Sequence, residues 1–414
     1  MNRCMTMEGR KFESLECLRG FAALAVVAGH LLIGFAPLQS GQFEASVAEP
    51  MIGRLWFVFF NGTAAVSFFF VLSGFVLTWA YFNSGDLGQV SRGLVKRWPR
   101  LAGACMLSTV ASWLLFSFDA YYFAPAAELS GSPWLKDFGF AELPADFQPH
   151  FWPALLQGGF FTFFRGDSYL NSSLWTMRPE IVGSAVVLCA APILHHLRHS
   201  LAVIVVTILL ALMLMKAQPH VPQFLAGAML AKLLSRRRLA IPWWLALGMV
   251  GVAFWLFGFN GPRGAYAWVA SYGLANKALY PLFWVSASLL LIVAAIGCKQ
   301  ADRLLSGGWA RLLGRLSFPI YLVHVPVICS LGAWTYIQTT PSLGVHAATT
   351  ATVVAVLIGT FACALIVGRF DQWWIAGVNR AVRALPLDHG RPLPAEAGPP
   401  GCRLAALGLA FSGK

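Results

Sequence analysis

Long apolar runs recur along nearly the whole sequence, and their length is the feature that most restricts the fold. A helix needs about 20 residues to cross a hydrocarbon core about 30 Å thick, and about ten runs approach that length. The sequence therefore predicts an all-α, polytopic membrane helix bundle. The predicted spans cover residues 17–36, 55–82, 101–118, 173–194, 201–215, 222–234, 243–259, 279–297, 316–334 and 347–367.

The composition supports a membrane protein. Hydrophobic residues make up 58% of the chain and charged residues only 11%, which leaves too little polar surface to cover a soluble globule. No long polar break separates the runs, so we predict one transmembrane domain at residues 11–370. Residues 371–414 are predicted to form a cytoplasmic, largely disordered tail, because their end is rich in Pro and Gly.

The positive charges lie in short clusters between apolar runs, although the net charge of +13 alone would also suit a nucleic-acid partner. Clustering beside spans is typical of cytoplasmic loops, and the alternating loops are acidic or neutral. We therefore predict that both termini are cytoplasmic. The clusters assigned to cytoplasmic loops or ends are Arg92, Lys96, Arg97 and Arg100; Arg236, Arg237 and Arg238; Lys299, Arg303, Arg311 and Arg315; and Arg369, Arg380 and Arg383.

Ionisable side chains inside predicted spans are costly, which makes them candidates for function. Arg19 and His30 are eleven residues apart, so they share one helix stripe and are separated by roughly 16 Å of rise. Glu180 enters from the opposite side and is expected at a depth similar to that of His30. We predict that His30 and Glu180 pair as an acid–base core, in which the carboxylate holds the imidazole ring.

Each of these residues also has a structural interpretation. His30 is alternatively a core histidine bonded to a backbone carbonyl, and Glu180 a partner of Arg178. Arg97 and Arg100 flank a Trp-Pro pair where two guanidiniums would suit the phosphates of an anionic donor, although ordinary membrane anchoring also explains them.

Further histidines were weighed for binding roles. His324 is expected near the same cavity depth as His30, with a packing hydrogen bond as the alternative. His195, His196 and His199 include a helical i, i+4 pair suited to a metal, but they lack a third ligand and an HExxH pattern. We predict no metal site.

Four segments, taken together, resemble the acyltransferase-3 family of bacterial membrane O-acyltransferases. The stretch LECLRGFAALAVVAGHL contains Arg19 and His30, and FFFVLSGFVLT precedes KRWPRL with Arg97 and Arg100. SLWTMRPE ends at Glu180, and LSFPIYLVHVPV contains His324. Two departures are Glu16, where the family usually has Asp, and Gly103, where it commonly has Pro.

The resemblance implies transfer of an acyl group, commonly acetyl from acetyl-CoA, to a hydroxyl of a cell-surface or exported carbohydrate. It implies a bacterial inner-membrane location. We predict catalytic roles for His30 and Glu180, with His30 as base or acylated nucleophile, and donor binding by Arg19, Arg97, Arg100 and His324. The expected partners are an acyl-CoA donor, a carbohydrate or lipid-linked glycan acceptor and the bilayer. A transporter or flippase is the main alternative because it too needs intramembrane charges, and a non-catalytic membrane module is another.

Overall fold

The computed structural model describes residues 12–385, with gaps at 44–46, 48, 142, 145, 236, 238 and 273–276. Over these ranges the chain is mainly helical and contains no strand, which confirms the predicted all-α class. Ten long helices form the bundle. They are α1 Glu13–Phe35, α2 Gly62–Ser84, α3 Leu87–Ser117, α4 Met177–His196, α5 Ser200–Leu214, α6 Val221–Leu234, α7 Trp243–Gly258, α8 Tyr280–Gly297, α9 Gly308–Val327 and α10 Ala333–Arg383.

Shorter helical segments connect or extend the long helices. They are Pro37–Ser40, Leu55–Phe59, Phe123–Ser130, Pro133–Lys136, Phe151–Leu156, Gln157–Phe161, Thr162–Phe164, Ser172–Thr176, Gly264–Tyr272, Lys277–Leu279, Lys299–Leu304 and Ile328–Gly332.

Among the described residues, six helical stretches are long and apolar enough to cross a membrane. The helices α5, α6 and α7 are apolar but shorter. Each predicted span overlaps a long helix, and the stretch Gly308–Arg383 contains the last two. Gly344 interrupts that stretch with a φ of 74°, a left-handed conformation that glycine adopts without a Cβ clash.

The predicted start of the second span at residue 55 is wrong. Helix α2 begins at Gly62, because the Asn61 side chain caps it by accepting a hydrogen bond from the Ala64 backbone N–H. The Asn61 amide also donates to the carbonyl oxygens of Phe257 and Phe259 at the end of α7. Asn61 thus ties the start of α2 to its neighbour.

The basic cluster before the third span is helical, not a loop. Asp86 caps α3 by accepting from the Gly88 N–H at 2.8 Å, and it pairs with Arg92 at 2.9 Å. The helix then continues through Pro99 to Ser117. Arg97 and Arg100 therefore project from a continuous helix.

The last helix also extends further than expected. Helix α10 continues to Arg383, so the boundary predicted at residue 370 falls inside a helix and residues 371–383 are helical. The rest of the predicted disordered tail, from residue 386 onward, lies outside the described residues.

Close helix contacts position the candidate site. Helix α1 packs along α9, and a Cβ added to Gly20 would lie 2.4 Å from Leu313 Cγ. A Cβ added to Gly314 would lie 2.8 Å from Glu16 Cβ, so the two glycines allow these helices to approach closely. Helix α2 packs against α1, α4, α6 and α8, while α3 packs against α4 and α10. Six of the long helices, α1, α2, α3, α4, α9 and α10, thereby surround one cavity.

Candidate functional site

Side chains from six helices line a cavity of about 160 Å³. Its charged residues are four arginines and two carboxylates, and its remaining walls are mainly apolar and aromatic. The lining residues are Arg19 from α1; Val66, Phe69, Phe70 and Ser73 from α2; Arg97, Arg100 and Leu101 from α3; Thr176, with Met177 and Glu180 from α4; Arg315, Ser317, Phe318 and Tyr321 from α9; and Asp371 and Ile375 from α10. We call this the arginine cavity.

Arg19 is held by contacts within its own helix, α1, and with α9. Its guanidinium forms an ion pair with Glu16 at 2.6 Å on its own helix. Across the α1–α9 interface, it donates to Ser317 Oγ at 2.7 Å and to the Gly314 carbonyl oxygen at 3.2 Å. The side chain is therefore fixed in place.

Glu180 joins three helices through its carboxylate. It forms an ion pair with Arg97 of α3 and accepts a hydrogen bond from Ser73 Oγ of α2 at 2.8 Å. Arg97 also donates to Ser184 Oγ at 3.0 Å. Because the side chains of Arg97 and Glu180 are only 14% and 11% exposed, each charge depends on the other for compensation.

Arg100 differs from Arg19 and Arg97. Its side chain lines the cavity, yet within the described part of the chain it makes neither a hydrogen bond nor a close ion pair. Asp371 also lines the cavity, and its Oδ1 is buried without a hydrogen-bond partner. Arg100 is therefore more available to a ligand than Arg19 or Arg97.

His30 and His324 form a direct pair. His30 Nδ1 lies 2.8 Å from His324 Nε2, and His324 Nδ1 lies 2.7 Å from the Tyr321 carbonyl oxygen. His324 is fully buried, whereas His30 is partly exposed. The Trp134 ring, from the segment Pro133–Lys136, stacks on His30 with a centroid distance of 4.9 Å.

Tyr321 lies between this histidine pair and the arginine cavity. Its side chain lines the cavity, and its ring centroid is 5.7 Å from that of His324. The Tyr321 hydroxyl donates to the Ser173 carbonyl oxygen at 3.0 Å and contacts Thr176 Oγ1 at 3.1 Å. Along α9, Ser317, Tyr321 and His324 occupy successive turns, which gives rises of about 6 and 4.5 Å. The Tyr321 side chain thus separates the histidine pair from the arginine cavity.

The predicted pairing of His30 with Glu180 is wrong. Helix α1 packs along α9, so His30 meets His324, whereas α4 packs against α2 and α3, so Glu180 meets Ser73 and Arg97. His324, which we predicted among the donor-binding residues, contacts His30 instead of the cavity. The catalytic and binding roles of all six residues stay predictions.

Four residues contribute to the site without having been predicted from the sequence: Ser73, Trp134, Tyr321 and Asp371. Tyr321 lies in the motif that pointed to His324, three residues before it, which is the spacing of helix neighbours. Asp371 is an acidic residue just after a span, but it was assigned to the tail. Ser73 and Trp134 carry no sequence signal that separates them from other serines and aromatic residues.

No group of three or more histidine, cysteine or acidic side chains suited to a metal occurs in the part of the chain that the structure describes. Of the histidines weighed as ligands, His195 packs on the rings of Tyr81 and Phe82. The absence of a metal requirement stays a prediction.

Two further cavities lie outside the arginine cavity. One of about 660 Å³ is lined by residues including Glu49, Arg54 and Arg263, and one of about 390 Å³ by residues including His150 and Tyr169. Burial raises the pKa of the Tyr169 phenol, and the nearby Asp167 carboxylate adds to this effect. Neither cavity is lined by any residue predicted as catalytic or donor-binding.

Comparison with known proteins identifies the family. A family model described as an acyltransferase domain, that of acyltransferase-3, matches residues 12–369. The chain belongs to the acyltransferase-3 family. Searches of curated proteins and of solved structures found no match. As a member of this family with a bundle of apolar helices, the protein is a multi-pass membrane acyltransferase.

Proposed function

We propose that the protein transfers an acyl group, in particular acetyl, from acyl-CoA to a hydroxyl of a cell-surface or exported carbohydrate. The proposed location is the bacterial cytoplasmic membrane, with both termini in the cytoplasm and a carbohydrate or lipid-linked glycan as acceptor. Family membership supports the acyltransferase activity, and the positive-inside pattern supports the orientation.

One observation carries the proposal most directly: the arginine cavity ends one aromatic side chain away from a histidine pair. Tyr321 borders the cavity and also lies against His324, which contacts His30. An anion-binding region next to a proton acceptor is the arrangement needed to bring an acyl-CoA thioester to an activated hydroxyl.

The arginines are suited to the phosphates of the donor. Guanidinium groups form bidentate, charge-assisted hydrogen bonds with phosphate, and Arg100 makes no hydrogen bond or close ion pair among the described residues. Arg19 and Arg97 are held by neighbouring side chains and add positive charge around the same space. Because about 160 Å³ is small compared with most ligand sites, we expect the cavity to hold only part of the donor, with the donor phosphates at the arginines.

In the proposed reaction, His30 removes the proton from the acceptor hydroxyl as its oxygen attacks the thioester carbonyl carbon. The new C–O bond forms, the C–S bond breaks, and the His30 imidazolium returns the proton to the leaving thiolate. Histidine suits this exchange because its unperturbed pKa is about 6.5. The products are an acylated carbohydrate and free coenzyme A.

The test compares the exported glycan of cells that carry the intact gene, no gene or the His30→Ala gene. Mass spectrometry should show one acyl group per repeat only with the intact gene. Glycan that reaches the surface unacylated without the gene would agree with the proposal. Loss of surface glycan without any change in acylation would instead show the transporter alternative.

A further inference from the structure

We propose that His324 is a positioning residue that fixes the tautomer of His30, leaving His30 Nε2 as the nitrogen that accepts the proton. This inference rests on the proposed function for its catalytic meaning, but the tautomer itself is independent of any substrate. It replaces the predicted role of Glu180, which lies with Arg97 and not with His30.

The tautomer of His324 is fixed by a backbone carbonyl. His324 Nδ1 lies 2.7 Å from the Tyr321 carbonyl oxygen, and a carbonyl oxygen only accepts hydrogen bonds. His324 Nδ1 must therefore carry the hydrogen. In a neutral imidazole the second nitrogen then has a lone pair, so His324 Nε2 is an acceptor.

The second step follows from the contact between the two rings. His30 Nδ1 lies 2.8 Å from His324 Nε2, a normal hydrogen-bond distance. Because His324 Nε2 is the acceptor, His30 Nδ1 must be the donor. Neutral His30 then has its lone pair on Nε2, away from His324.

The surroundings hold both rings in this arrangement. His324 is 0% exposed, and Trp134 stacks on the His30 ring with an interplanar angle of 16°. The two imidazoles are almost parallel, with an interplanar angle of 6°. When His30 accepts a proton at Nε2, its Nδ1–H still donates to His324, so the same contact also stabilises the imidazolium.

Two substitutions separate this role from simple packing. In His324→Leu no acceptor faces His30 Nδ1, so the hydrogen of neutral His30 is free to move to Nε2. A protonated Nε2 has no lone pair and cannot accept the proton of the acceptor hydroxyl. In His324→Gln the side-chain carbonyl oxygen can still accept from His30 Nδ1. We expect kcat to fall about 100-fold or more in His324→Leu, with the donor KM unchanged, and to recover substantially in His324→Gln.

His220→Leu is the matched control. His220 is another histidine of the bundle, and it packs against Phe70 and Trp175 instead of His30. Its replacement should leave kcat within about twofold of the intact protein. Equal kcat losses in His324→Leu and His324→Gln, or a normal kcat in His324→Leu, would overturn the positioning role.

The direct measurement is magnetic resonance of protein labelled with ¹⁵N-histidine in lipid bilayers, without donor or acceptor. His30 signals are assigned by their loss in His30→Gln. We expect the Nδ1–H tautomer of His30 in the intact protein and in His324→Gln, and the Nε2–H tautomer in His324→Leu. An Nε2–H tautomer in the intact protein would refute the inference even if acyl transfer were normal. Conversely, normal transfer by His30→Ala would refute the proposed base without changing the tautomer result.

Discussion

The arginine cavity and the histidine pair lie one helical turn apart but are built in opposite ways. The cavity gathers arginines and carboxylates from five helices, and these charges form ion pairs or face open space. The histidine pair is held between α1 and α9 by hydrogen bonds between uncharged groups and by the stacked ring of Trp134. The first region is suited to holding an anion, and the second to holding a proton.

This difference separates binding from chemistry. Loss of an arginine that only contacts a ligand should raise KM, because such a contact is shared by the ground and transition states. Loss of a histidine that moves a proton should lower kcat. The predictions below test this division.

The largest expected effect is that of His30→Ala. Removal of the general base should lower kcat about 100- to 10,000-fold and leave the donor KM near its normal value. The measurement is acyl transfer by purified protein that elutes as a single species in detergent. Transfer near the normal rate would place the active centre elsewhere.

Arg97→Ala tests the buried ion pair. Breaking the pair from one side should lower the free energy of unfolding by about 3–5 kcal/mol, because the Glu180 carboxylate remains buried without its partner. The double variant Arg97→Ala with Glu180→Gln should recover part of this loss, since no uncompensated charge remains. Additive losses in unfolding measurements in mixed micelles would show that the two charges are independent.

Arg100→Ala should affect binding alone. Since Arg100 has no bonded partner among the described residues, its loss should raise the donor KM about 10-fold with little change in kcat or stability. Arg311→Ala is a matched control, because Arg311 pairs with Glu13 at 3.2 Å and lies outside the cavity. A fall in kcat alone would contradict the proposed phosphate contact.

Trp134→Ala is expected to have the smallest effect on the reaction. Removing the ring stacked on His30 should admit water to the site. Lowering the activation free energy of donor hydrolysis by about 1 kcal/mol would raise its rate roughly fivefold. Trp134→Phe should keep much of the protection. Trp152→Ala serves as the control, because Trp152 is 68% exposed and does not contact His30. Unchanged coenzyme A release without acceptor would argue against a sealing role.

The sequence allowed the helix bundle to be predicted more fully than the site. Apolar runs located every long helix, because span length is a property of local composition. Asn61 and Asp86 cap helices whose starts the apolar runs do not show: α2 begins seven residues after the predicted span start, and α3 begins fourteen residues before it. The partners of His30 and Glu180 depend on which helices pack together, and span lengths and charges contain no such information.

The uninterrupted course of α3 has a consequence for how a donor is recognised. Arg97 and Arg100 are three residues apart on a helix of 31 residues that continues through Pro99, so both side chains leave from neighbouring positions on one helix. Binding groups on a loop would have to lose backbone freedom when a ligand arrives, at about 1–2 kcal/mol per ordered residue, whereas this helix has already lost it on folding. The geometry of donor binding is therefore preorganised, and one residue inserted between the arginines would turn Arg100 about 100° around the helix, away from the cavity.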